Sequence, residues 1–176
     1  AFLLQLGDLI QGDCCDRELH YKMLVEAEKA CRKGFGDLEF RMVCGNHDIR
    51  EMVTKDGAAA FDEWYRKPSV WSAAEGPDVW IFVDFTRPDV DALFAALKAS
   101  EGCRHLFLAS HAPISPSDNW GFYWFLLGDE PRLDEVRRRL RRELVRRNAI
   151  VLAGHVHCTS LMEWKTSEGT LTQFIA

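Results

Sequence analysis

Six residues of this chain, of types that hold cations and move protons, sit together in four short motifs. Asp8 lies in GDLIQGD at 7–13, Asn46 and His47 in GNHD at 45–48, His111 in SHAP at 110–113, and His155 and His157 in GHVH at 154–157. Carboxylate and amide oxygens with imidazole nitrogens make a mixed donor set that suits Mn²⁺, Fe or Zn²⁺ better than Ca²⁺. Histidine is also the side chain whose charge changes near neutral pH, so it can pass a proton to a leaving group. Each motif follows an apolar run, at 1–6, 40–44, 106–109 and 149–153. Such runs read as buried strands. A strand that ends in a turn and then offers Asp, Asn or His places its ligands on one edge of a sheet, where sites in open α/β folds form.

Taken singly, these residues have bland readings. Asp8 can close a turn, Asn46 can occupy a left-handed turn after Gly45, and a lone histidine is more often core or surface than ligand. The order of the four motifs weighs against that. GD, GNHD, a histidine after a strand, and GHxH resemble the signature of the calcineurin-like metallophosphoesterases, from Gly7 to His157. The resemblance implies an α/β fold in which a two-sheet β-sandwich is flanked by helices, in αββα layers. It implies two divalent metal ions and hydrolysis of a phosphomonoester or phosphodiester by metal-activated water, without a covalent phosphoenzyme. Carried over residue by residue, Asp8 is the carboxylate shared by both metals. Asn46, His111 and His155 hold the second metal and His157 the first. His47 is not a ligand; it contacts phosphate and protonates the leaving oxygen. Asp48 orients the turn.

The pattern has two departures. Many members carry Asp at the position of Gln11, where it orients and charges the catalytic histidine; Gln offers a hydrogen bond without the charge, and Asp13 can compensate if the loop folds back. Members also open with a strand ending in Asp-x-His, and no Asp-x-His occurs in this chain. The start at Ala1, inside an apolar run, points to a trimmed or partial chain lacking its first strand. The alternative to an enzyme is therefore a member of the same fold with an incomplete metal site, acting as a scaffold or binding module.

Length and composition bound the rest. At 176 residues, one domain spanning 1–176 is expected. A net charge of −5 gives no bulk attraction to nucleic acid or to an anionic membrane. No apolar run reaches the length of a spanning helix, and no signal-peptide pattern is present. The six cysteines show no CxxC spacing, so a zinc knuckle is unsupported and reduced thiols in a cytoplasmic setting are expected. Cys14, Cys44 and Cys158 flank metal motifs, but oxygen and imidazole ligands are nearer the chemistry. The expected partner is a phosphate-ester small molecule or a phosphoprotein.

Apolar spacing predicts helices over 16–33, with Asp16 as N-cap and Gly34 as stop, over 57–66, from Pro88 to 100, and from Pro131 to 148. It predicts a strand at 79–85 and a closing hairpin of 160–164 with 170–175. Residues 137–147 hold seven arginines around a clean apolar stripe, which reads as a solvated helix face with partners such as Glu143. Residues 119–127, NWGFYWFLL, read as core, or as a lid or interaction surface between two motifs. His20 and His105 match no motif and read as structural.

Overall fold

The computed structural model describes residues 1–14, 16–50, 56–114 and 133–176. Cys15, the aromatic stretch 119–127 and the expected helix start at Pro131 lie outside the described residues. Strand β1 (Phe2–Gln5) leads through helix α1 (Arg17–Phe35) to β2 (Glu39–Met42), and the two strands pair in parallel with Phe2 opposite Glu39. Asp16 caps α1 as its side chain predicts, accepting from the Leu19 amide at 2.7 Å, a contact worth about 1 kcal/mol. The helix does not stop at Gly34. It runs on to Phe35, and Gly36, at φ 72°, ends it with its N–H on the Arg32 carbonyl.

After β2 come the short helix α2 (Asn46–Ile49) and α3 (Gly57–Tyr65). A six-stranded sheet then forms from β3 (Val70–Glu75), β4 (Asp78–Val83), β5 (Leu106–Ser110), β6 (Ile150–Ala153), β7 (Ser160–Thr166) and β8 (Gly169–Ile175), in the order β3-β4-β5-β6-β8-β7. The four central strands are parallel, and β3 and β7 pair antiparallel at the edges. The spacing rules missed β3, whose VWSAAE alternates only weakly. They found the β7–β8 hairpin. Crossovers α4 (Val90–Ala99) and α5 (Asp134–Arg146) join the parallel strands, as a parallel sheet requires.

Three apolar clusters hold these elements. Ile81, Leu106, Leu108 and Val151 of the large sheet pack with Leu93 and Leu97 of α4 and Leu140 and Leu144 of α5. Leu24, Phe40, Met42 and Phe61 join α1 and α3 to β2. The third cluster brings Leu4, Leu6 and Val43 onto Phe82, Ala109, Trp71 and Trp80, so side chains of the small sheet meet the large one. Trp71 stacks on Phe82 with centroids 3.9 Å apart, worth about 0.5–1.5 kcal/mol beyond burial. That cross-strand row continues through Leu152 and Phe174 to Leu161. There it emerges: Phe174 is 44% and Leu161 60% exposed.

The arginine run is only partly a solvated face. Arg137, Arg138, Arg142 and Arg146 pair with Asp134, Glu135 and Glu143 of their own helix. Arg139 lies over the Phe94 ring at 4.0 Å, and Arg147 donates to the Leu97 and Ser100 carbonyls at the end of α4. Cys14, Cys31, Cys44, Cys103 and Cys158 are not disulfide-bonded. No helix among the described residues is long and apolar enough to cross a membrane.

Candidate metal centre

Asp8 follows β1, Asn46 follows β2, His111 follows β5 and His155 follows β6, so all four stand at carboxyl ends of parallel strands. The first two loops are locked together by a third residue. The buried Asp48 carboxylate accepts from the amides of Asp8 and Gly45 at 2.8 Å each and from Ile10 at 3.2 Å. Asp8 in turn accepts the His47 amide at 2.9 Å on Oδ1. Glycine is required at two points of this knot. Gly7 sits at φ 88°, and a Cβ there would come within 2.5 Å of the His111 ring. A Cβ on Gly45 would lie 2.2 Å from the Asp8 amide nitrogen. His20 of α1, read as merely structural, supports the knot from behind by donating from Nε2 to the Asp48 carbonyl at 2.6 Å.

His111 shows how the site is aimed. Its Nδ1 lies 2.6 Å from the Leu6 carbonyl, which only accepts, so Nδ1 carries the proton and Nε2 presents a lone pair. Around Nε2 stand Asp8 Oδ2 at 3.2 Å, Asn46 Oδ1 at 3.2 Å and His155 Nδ1 at 3.0 Å. These are four Lewis bases. One shared proton satisfies a single contact among them, whereas a cation satisfies all. Ligand bonds of about 2.0–2.2 Å set neighbouring donor atoms roughly 3–4 Å apart. The donor atoms of Asp8, His111 and His155 all lie within 4.8 Å of one another. The arrangement therefore fits a cation with mixed nitrogen and oxygen ligands.

The electrostatics agree. Burial, then the neighbouring His111, lowers the His155 pKa to about 4 against a weaker opposing pull from Asp8, so this imidazole is neutral and ligand-ready at neutral pH. Burial works to raise the Asp8 pKa, but with no cation present a proton shared with His111 Nε2, together with the His47 amide, outweighs it, and the carboxyl titrates below its ordinary value. Asp48 is the reverse. Burial pushes it up to about 6, with the Gly45 and Ile10 amides opposing and the Asp8 charge adding to the rise. The Phe85 ring, 5.4 Å from His111 and 5.7 Å from His155, forms an apolar wall that the sequence did not flag.

His155 and His157 stand past the end of β6 and not on a strand. Both lie in the loop after β6 with positive φ, 70° and 52°. His155 turns into the gathered group. His157 is exposed and lines the same open cleft of about 320 Å³, but stands outside the cluster of donor atoms. Cys44 is buried, and burial holds its thiol well above the ordinary range, so it stays protonated.

His47 lies beside the group, with its ring engaged elsewhere. Its Nδ1 is 3.1 Å from the Gln11 carbonyl, and Arg50 Nη1 is 2.8 Å from Nδ1 and 3.2 Å from Nε2. The Gln11 carbonyl only accepts, so Nδ1 donates to it, while Arg50 Nη1 stands close to both ring nitrogens. The expected pairing of the Gln11 side chain with His47 does not occur. That side chain donates to Asp13 at 3.0 Å, and Asp13 reaches the histidine only through Arg50, whose Nε it binds at 2.8 Å. No family model matches the sequence, and no curated protein matches it.

Proposed function

We propose that this protein is a metal-dependent phosphoesterase of the calcineurin-like type, hydrolysing a phosphomonoester or phosphodiester. The observation that carries the reading is the convergence of Asp8, Asn46 and His155 on His111 Nε2. The motif order supports it, and so do the apolar clusters, which suit two facing sheets with helices outside.

A cation bound by these four residues supplies Lewis acidity, neutralising phosphoryl charge and acidifying water. The protein does the rest. Leu6 fixes the His111 ring so that Nε2 faces the site. The His47 amide holds Asp8 Oδ1, which leaves Oδ2 toward the histidines. Phe85 keeps one side dry and strengthens charge interactions there. His157, at the rim, is the ligand for a second ion if one binds, and His47 the candidate proton donor to the leaving oxygen.

The test uses p-nitrophenyl phosphate and bis-p-nitrophenyl phosphate with Mn²⁺, Fe²⁺ and Zn²⁺ varied. Wild-type protein is expected to bind metal and cleave at least one ester, and chelation to abolish turnover. His111→Ala should lose both metal and rate. Metal-loaded protein that cleaves neither ester overturns the reading. One observation favours a binding-only member instead: the described donor atoms gather around a single position, with His157 outside it. Tight metal binding without turnover is the signature of that alternative.

A further inference from the structure

From the geometry around His47 we infer that Arg50 is a substrate-binding residue: its guanidinium receives the anionic oxygens of the phosphate ester and favours a dianionic monoester over a monoanionic diester. This rests on the phosphoesterase reading. Arg50 ends α2, three residues after His47, in a left-handed conformation (φ 26°, ψ 45°) that is strained for any side chain. Strain of this kind persists only where neighbours enforce it. Here Asp13 grips Nε at 2.8 Å, and the His47 ring lies against Nη1. Gly12 permits the approach, since a Cβ there would lie 2.2 Å from the His47 carbonyl and 2.9 Å from Arg50 Cβ.

The grip leaves one arm of the fork available. Nη2 has no hydrogen-bond partner among the described residues, and the Arg50 side chain is 28% exposed. The His47 amide binds Asp8, and Asn46 touches His111, so α2, which Arg50 ends, is tied at two points to the gathered donor residues. Guanidinium is always charged and presents its donors in a planar fork matched to phosphate oxygens. Arg50 Nη1 lies 2.8 Å from His47 Nδ1, so the permanently cationic guanidinium and the candidate proton donor stand side by side.

A purely structural role, tying the 11–13 loop to α2, is the competing account. Arg50→Gln removes the charge and keeps a donor for Asp13; Arg50→Lys keeps the charge and loses the fork. Both are compared with wild type by metal content, melting temperature, KM and kcat for both nitrophenyl esters, and inhibition by inorganic phosphate. In Arg50→Gln, KM for the monoester and the phosphate inhibition constant should rise about 10- to 100-fold, the expected loss for one charged hydrogen bond. Bound metal and melting temperature should hold, and the diester KM should rise less. Arg50→Lys should recover part of the loss. Unchanged KM and phosphate inhibition in Arg50→Gln overturn the inference, as does a loss that tracks metal or melting temperature in both variants. If wild type cleaves neither ester, the phosphoesterase reading fails, and calorimetric titration of inorganic phosphate into metal-loaded protein decides the inference: binding weakened in Arg50→Gln supports it, and equal or absent binding overturns it.

Discussion

The loop after β2 and the loop after β6 each carry a histidine motif to the same site, but they are held very differently. In the first, one buried carboxylate, Asp48, accepts three amides across two loops, and His20 braces it from α1. In the second, the Gly154 amide donates to the His111 carbonyl and Val156 turns back on Gly154. His155 gains order by touching His111, while His157 stays at the rim. A ligand wired to buried polar groups is aimed before any cation arrives. A side chain on a loop held through its own backbone is aimed largely by what it binds. Preorganisation is thus concentrated on the Asp8–Asn46 side.

The comparison breaks most severely at Gly45. Gly45→Ala places a methyl group 2.3 Å from Asp8 Oδ1, which must move. Metal affinity should fall about 100-fold or more, at the upper end of supporting-residue effects, measured by competition with a chromophoric chelator. Affinity equal to wild type would show that Asp8 is not a ligand. Asp48→Ala is next. It strips three amides of their acceptor, and at about 1 kcal/mol or more each the fold should lose about 3 kcal/mol by denaturant titration. Asp48→Asn should recover part of this, because an amide oxygen can still accept two of the three N–H groups. A loss below about 1 kcal/mol in the alanine variant would mean the two loops are not joined through Asp48. The smallest effect belongs to the loosely held side. His157→Ala should leave the melting temperature and the cation at Asp8 and His111 nearly unchanged, whereas His155→Ala should lower bound metal outright. Equal metal loss in both would place the two histidines on one ion.

Much of this site was legible in the chain. Asp8, Asn46, His111 and His155 stood out by type and by the apolar runs before them, the family resemblance named them as expected ligands, and the structure brings their side chains together. Those runs became strands because short apolar segments bounded by glycine and polar residues bury best in a parallel sheet. Asp16 announced its helix because the N-cap bond is local, between residues three apart. Gly34 failed as a stop because a glycine inside a helix costs only about 1 kcal/mol, and Gly36, at φ 72°, supplies the positive-φ position that ends the helix. The aromatic stretch 119–127 lies outside the described residues.

What the sequence determined by itself was the kind of donor side chain, its order and the strand that delivers it, since these follow from side-chain chemistry and near-neighbour spacing. Tertiary structure decided which nitrogen of His111 faces the site, that His155 enters while His157 stays out, and that Arg50 rather than the Gln11 side chain lies against the His47 ring. The physical reason is range. The His111 tautomer is set by the carbonyl of Leu6, 105 residues away, and no local pattern encodes a hydrogen bond across that distance.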